Sequence, residues 1–132
     1  MPRPESPCPA ENSPAGPSVL LIDASAEERE VLRVALQRRG LRIFEAEEAE
    51  AGLRLAEEHQ PRVIVLDLDA ASADREDVQA RLDAASAEHH SSLVILGRAR
   101  RYDALPREQV LSRPYHFGPL VQTIEQLAAK AA

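Results

Sequence analysis

The stretch VIVLDLDA, residues 63–70, decides the fold class of this protein. Four branched apolar residues run without interruption into Asp67, and a second carboxylate follows at Asp69. A strand with one face in water would alternate apolar and polar residues, so this strand is expected to be covered on both faces, as in a parallel sheet. The carboxylates then lie where the chain leaves the core, at the edge where parallel-sheet proteins bind their ligands.

Length and composition exclude several classes of protein. The 132 residues, 44% of them hydrophobic, suit a single domain with one ordinary core. The formal net charge of −6 argues against a general nucleic-acid binder, because nucleic-acid phosphates would repel it. No apolar run approaches the length of a membrane span, and the first residues lack the hydrophobic region of an export signal, so a cytoplasmic protein that does not bind membranes is expected. Cys8, the only cysteine, excludes an internal disulfide and a multi-cysteine zinc site.

The chain divides at residue 17. Six of the ten prolines fall in residues 1–17, among serine, glutamate and glycine, and such a segment has few apolar groups to bury. We therefore expect a disordered proline-rich leader over 1–17 and a folded domain over 18–132.

Short apolar runs alternate with longer amphipathic stretches along that domain. Strands are predicted at 19–22, 41–46, 63–67, 93–96 and, weakly, 109–112, and helices between Ser25 and Gly40 and over 48–59, 74–88 and 118–131. Ser25 and Glu28 form a capping-box pattern, and Gly40 stands where a helix stop belongs. The stretch 98–108 is short, polar and broken by Pro106, so the helix between the fourth and fifth strands is expected to be shortened or missing.

This alternation predicts an α/β protein with a five-stranded, parallel, doubly wound sheet. Right-handed crossovers place the carboxyl end of every strand at one edge. The residues expected to meet there are Asp23, Asp67, Asp69, Gly97 and Arg113.

These residues and their spacing resemble the receiver domain of bacterial two-component response regulators, a flavodoxin-like fold, over about residues 19–130. The family's first strand ends in two adjacent acids; here Asp23 matches the first and Ala24 replaces the second. The phospho-accepting aspartate of the family closes the third strand, which makes Asp67 the candidate phospho-acceptor. The family then usually shows a Met-Pro loop that leads to an Asp-Gly; the loop here, DAASADRE, keeps the aspartate as Asp74 but lacks the Met and the Pro and has Arg75 in place of the glycine.

The later family positions depart further from the pattern. Gly97 stands where a threonine or serine usually contacts the phosphoryl group, and Val110 stands at the position of the aromatic switch residue. Arg113, followed by Pro114, replaces the usual lysine and is a poor substitute for its compact ammonium group. We interpret Gly97, Val110 and Arg113 as degenerate switch and phosphate-contact positions.

The resemblance also implies a cation site. The family holds Mg²⁺ with the acid pair, the acceptor aspartate and a backbone carbonyl two residues beyond it, which nominates Asp23, Asp67 and Asp69 here. Because Ala24 removes one carboxylate ligand, only weak Mg²⁺ binding is expected, and no other cofactor.

The function expected from this pattern is that of a stand-alone, receiver-like domain with impaired phosphorylation, a pseudo-receiver that acts by protein–protein interaction. Its partner would be a signalling protein, either a histidine kinase or a downstream effector, with the chain itself a monomer or weak dimer. The alternative is a genuine response regulator that a histidine kinase phosphorylates on Asp67 with weak Mg²⁺ dependence. A small flavodoxin-like enzyme or nucleotide binder is disfavoured, because IDASAEER after the first strand offers acids in place of a glycine-rich phosphate loop, so no enzymatic activity is expected.

Overall fold

The computed structural model describes residues 17–67, 76–96, 110–111 and 116–129. Strands and helices alternate along these residues, as the apolar periodicity predicts. The strands are β1 (Ser18–Ile22), β2 (Arg42–Ala46), β3 (Val63–Asp67), β4 (Ser92–Leu96) and β5 (Val110–Leu111). The described helices are α1 (Ala26–Gln37), α2 (Ala49–His59), α3 (Glu76–Glu88) and α4 (Phe117–Ala129).

All strand pairs are parallel, and the strands lie side by side in the order β2-β1-β3-β4-β5. The predicted five-stranded, doubly wound α/β fold is therefore confirmed. The chain leaves β1 toward β2 on one side and returns to β3 on the other, so the strand order reverses between β1 and β3. In open α/β sheets the crevice at such a point, outside the carboxyl ends of the strands, is the usual place for a ligand.

The core lies on both faces of the sheet, which explains the unbroken apolar strands. Leu20 and Ile22 of β1 pack with residues of α2 and α3, whereas Val19 and Leu21 pack on the opposite face with residues of α1 and α4. All five residues of β1 and of β3 are buried. Burying each such leucine, isoleucine or valine side chain stabilises the fold by roughly 1.5–3 kcal/mol. These two central strands, and the residues at their carboxyl ends, are therefore firmly anchored in the core.

Helix α1 begins and ends where the sequence predicts. The Ser25 side chain caps its start by accepting a hydrogen bond from the Glu28 backbone N–H at 3.1 Å. At the other end Gly40 has a φ of 85°, which only glycine adopts without strain. The Gly40 N–H donates to Gln37 O at 3.0 Å and the Leu41 N–H donates to Leu36 O at 3.3 Å, the pattern of a Schellman C-cap.

Helix α2 approaches β1 very closely at Gly52. A Cβ atom at Gly52 would lie 2.5 Å from Cγ1 of Ile22. Real Cβ atoms do not approach other heavy atoms so closely, so a glycine is needed for this contact between α2 and β1. Ile22 is also the last residue of β1, directly before Asp23.

Several predictions fall partly or wholly outside the described residues. Residues 1–16 of the predicted leader lie there, and the described part opens at Pro17, whose carbonyl accepts a hydrogen bond from the Arg42 N–H at 2.9 Å. Residues 97–109, where the helix after β4 was expected to be shortened or missing, also lie outside. Among the described helices none has the length and apolar character that a membrane crossing needs.

Candidate functional site

Two of the predicted site residues meet at the point where the strand order reverses. Ile22 at the end of β1 pairs with Leu66 of β3, so the next residues on the two strands, Asp23 and Asp67, lie next to each other. Both are 2% exposed, although both are acids. Buried carboxylates are normally paired or bound to a cation, so this pair marks the site of interest.

Asp23 is held in place by the start of α1. Its backbone N–H donates to Ala46 O at 3.0 Å, which continues the β1–β2 ladder by one residue. Its Oδ1 accepts a hydrogen bond from the Ser25 N–H at 2.8 Å. In a capping box the Ser25 N–H would donate to the side chain of Glu28, three residues later. Here it donates to Asp23 instead.

Glu28 joins the two aspartates. One carboxylate oxygen from each of Asp23, Glu28 and Asp67 can be chosen so that all three lie within 4.8 Å of one another. Glu28 is partly buried, in the first turn of α1. Sequence reasoning assigned Glu28 to helix capping alone and missed it as a site residue. The signal available was its position five residues after Asp23, in the first turn of a helix that begins at the carboxyl edge of the sheet.

Burial and neighbouring acids make Asp23 hard to ionise. The pKa of the Asp23 carboxyl is raised to about 8, and removal from water is the largest cause. Contact with the Glu28 carboxyl and the charge of Asp67 also act to raise this pKa, while the hydrogen bond from the Ser25 N–H acts to lower it. In the absence of a cation this cluster therefore favours keeping a proton near Asp23.

The cluster has the chemistry of a divalent-cation site. Mg²⁺ takes oxygen ligands at about 2.1 Å, which places neighbouring ligand oxygens about 3 Å apart and opposite ones about 4.2 Å apart. The spacing of the three carboxylates is close to that range. In addition, Asp23 Oδ2 is buried and receives no hydrogen bond from any of the residues that the structure describes. The residues present therefore fit a bound Mg²⁺ ion.

The other predicted site residues are only partly located. Asp69, Gly97 and Arg113 lie outside the described residues, so their place relative to Asp67 remains a prediction. Val110 begins β5, where its backbone is paired with Ile95 of β4.

Comparison with known proteins rests on structure, since no family model and no curated protein matches the sequence. The chemotaxis response regulator CheY4 of Vibrio cholerae superposes with a TM-score of 0.69 at 17% identity, over 86% of this chain and 99% of that one. This chain has the receiver fold. The receiver domain of the sensor histidine kinase PA1611 from Pseudomonas aeruginosa PAO1, solved with a magnesium ion in its active-site cleft, gives 0.69 at 16% identity, over 88% and 100% of the two chains.

A third receiver fold, from the hybrid histidine kinase CckA, superposes with a TM-score of 0.65 at 17% identity and covers 84% of this chain and 98% of that one. The resemblance inferred from the strand ends is thus confirmed at the level of the fold. In all three comparisons the superposition covers nearly the whole length of the solved receiver domain. At these identities the fold is shared, and the chemistry has to be argued from the residues at the β1–β3 crevice.

Proposed function

We propose that this chain is a receiver-like module of two-component signalling that docks to a partner protein and accepts phosphoryl groups on Asp67 poorly. One observation carries the proposal. The receiver fold places Asp23 and Asp67 together in the β1–β3 crevice, while the residue after Asp23 is the exposed Ala24. The two aspartates expected at a phosphorylation site are therefore present, but the acid expected at position 24 is absent.

Mg²⁺ is the cation that this site would use. The receiver domain of PA1611 holds a magnesium ion in its cleft, and here Asp23 and Asp67 are the acids in the crevice. When bound, the ion neutralises negative charge on the oxygens of the group being transferred. The loss of the acid at position 24 removes one ligand, and on that change alone weaker binding is expected.

Two further substitutions support poor phosphoryl transfer. Gly97 lacks the hydroxyl that would donate a hydrogen bond to the phosphoryl oxygens, and Arg113 is wider than the lysine it replaces. Val110, at the start of β5, has no aromatic ring with which to report a change in the crevice. Signalling would then depend on docking to a histidine kinase or an effector, with little contribution from a phosphorylation-driven switch.

A genuine response regulator is the second candidate function. The burial of Asp67 at the end of β3, beside Asp23, favours it, because an acid in that place is costly unless a cation or a transferred group uses it. Under this alternative a histidine kinase phosphorylates Asp67 slowly.

Beryllofluoride with Mg²⁺, which mimics a phosphorylated aspartate, separates the two functions. Amide NMR spectra of the full chain are recorded with Mg²⁺ alone and then with beryllofluoride added. Our proposal expects no substantial further shift, whereas large shifts around Asp67 and Gly97 would overturn it. No shift at millimolar Mg²⁺ would exclude the second candidate.

A pair of variants calibrates that experiment. The double substitution Ala24→Asp, Gly97→Thr restores the missing acid and hydroxyl, and it is expected to gain a beryllofluoride response. Adding Asp67→Asn to the double variant should abolish the gain. If the double variant gains nothing, the assignment of these positions to the crevice is wrong.

A further inference from the structure

We propose that Glu28 replaces the missing acid at position 24 and that Asp23, Glu28 and Asp67 together bind a divalent cation of the Mg²⁺ or Mn²⁺ class. The proposal rests on the receiver-like crevice of the proposed function and deepens it. Compared with the acid pair expected after β1, one carboxylate comes from the first turn of α1 and not from position 24. The crevice then holds the same number of carboxylates in a different arrangement.

The geometry brings Glu28 into reach of both aspartates. The three carboxylates supply one oxygen each within 4.8 Å of one another, so a single ion can contact all three after small side-chain rotations. Glu28 comes from α1, whereas Asp23 and Asp67 come from the ends of β1 and β3. An ion at this point would therefore connect a helix to two central strands.

A second observation points to a ligand independently of the acidic cluster. Asp23 Oδ1 is engaged by the Ser25 N–H, but Oδ2 is buried and has no hydrogen-bond donor within the described ranges. A buried carboxylate oxygen without a donor destabilises the folded state, because it has lost its hydration and gained nothing in return. A cation coordinated by Oδ2 would remove that cost, and Asp23 is 2% exposed, so bulk water does not.

The local structure of α1 explains how Glu28 becomes available. In a capping box the glutamate side chain turns back to the N–H of the cap residue. Here Asp23 accepts the bond from the Ser25 N–H, and the carboxylate of Glu28 lies with those of Asp23 and Asp67. The same residue pattern that suggests a helix cap therefore delivers a metal ligand, because Asp23 precedes the cap by two residues.

Mn²⁺ binding to the full chain tests the proposal without phosphoryl chemistry. Calorimetry measures the dissociation constant, and paramagnetic broadening of amide signals locates the ion. Glu28→Gln is expected to weaken binding at least about tenfold, since even groups that only support metal ligands commonly contribute that much. Glu27→Gln, the same charge change one residue away on an exposed position, is the matched control and should change the dissociation constant less than about twofold.

Relocating the acid gives the sharper result. Adding Ala24→Asp to Glu28→Gln is expected to recover most of the lost affinity, because it returns a carboxylate to the crevice from the loop. Unchanged binding by Glu28→Gln would overturn the proposal, and so would tighter binding, which would mean that Glu28 blocks the crevice. Undetectable Mn²⁺ binding by the natural chain, or binding that Asp23→Asn and Asp67→Asn leave intact, would overturn it as well.

Failure of this proposal and failure of the proposed function give different results. Glu28-dependent Mn²⁺ binding combined with a strong beryllofluoride response would leave Glu28 as a ligand and overturn poor phosphoryl transfer. Absence of both responses would overturn the Glu28 site and leave the docking function standing.

Discussion

Asp23 and Asp67 lie side by side at the ends of adjacent parallel strands, and each is 98% buried, since only 2% of its surface is exposed. Burial and the nearby charge of Asp67 raise the pKa of Asp23, so the folded protein resists ionising that carboxyl. Their arrangement follows from the strand register, because Ile22 and Leu66 are paired one residue earlier. Burial at this point of the fold therefore couples the protonation of Asp23 to the stability of the folded protein.

The first prediction concerns the pH dependence of folding in the absence of divalent cations. The pKa of Asp23 is about 8 in the folded protein and 3.8 in the unfolded chain, so the folded state holds an extra proton between these values. The stability that this proton contributes is fully present below about pH 4 and is lost as pH rises through about 8. One such group changes the free energy of unfolding by at most about 1.4 kcal/mol per pH unit.

Asp23→Asn is expected to remove this dependence. Asparagine keeps an oxygen that can accept the Ser25 N–H, but it carries no ionisable group. Urea unfolding with EDTA from pH 4 to pH 9 should show the natural chain losing stability relative to the variant, which becomes the more stable protein at the alkaline end. A difference between the two proteins that stays constant with pH contradicts the prediction. Glu27→Gln serves as the control on the exposed side of the same helix turn.

A second prediction concerns the close contact between α2 and β1. Gly52→Ala places a methyl group 2.5 Å from Cγ1 of Ile22, so either Ile22 or the helix has to move. Overpacking of this kind costs about 1–3 kcal/mol, whereas helix propensity alone would favour alanine by about 1 kcal/mol. The free energy of unfolding measured in urea should therefore fall.

Gly118→Ala is the matched control for that substitution. Gly118 is a helical glycine in α4, and a Cβ there would meet no other atom within 4 Å. We expect unchanged stability or a gain of up to about 1 kcal/mol. If the two alanine variants prove equally stable, the contact between position 52 and Ile22 is not as tight as the structure indicates.

The contrast between Asp67 and Glu28 shows how far the sequence leads. The meeting of Asp23 and Asp67 could be predicted, because it depends only on where two parallel strands end. Glu28 was missed, because its spacing from Ser25 already has a sufficient local explanation as a helix cap, and its position in the first turn of α1 was a weak signal on its own. Its second role appears only when the strand register places Asp67 across the crevice from the first turn of α1.

Gly52 illustrates the same limit in the core. The strands and helices followed from the apolar periodicity, and their observed bounds differ from the predicted ones by only one or two residues. A glycine inside a helix, however, lowers helix stability relative to alanine, and the sequence alone gives no reason for its presence at position 52. Gly52 is needed because α2 packs so closely against β1. That distance depends on how the whole helix packs on the sheet, so the pattern of neighbouring residues in the sequence does not reveal it.

The last prediction concerns Arg29, which ties α1 to the edge strand β2. Its guanidinium lies 3.0 Å from Glu45 and 3.7 Å from Glu47, and the arginine side chain is only 12% exposed. Arg39 makes an equally short contact with Glu125, at 3.0 Å, but both of those side chains are more than 40% exposed. Because solvent screens the mostly buried Arg29 guanidinium less than it screens Arg39, the two arginines should differ in their contribution to stability.

Arg29→Ala is expected to lower the free energy of unfolding by about 1–3 kcal/mol, and Arg39→Ala by less than about 1 kcal/mol. Raising the salt concentration to about 1 M should remove most of the effect at Arg39 and little of that at Arg29, since the Debye length then falls to about 3 Å. Arg29→Lys should not rescue the loss, because a single ammonium cannot bridge Glu45 and Glu47 as the forked guanidinium does. Equal losses for the two alanine variants would show that the Arg29 pair is as well hydrated as a surface pair, and that α1 is held to the sheet by its apolar face alone.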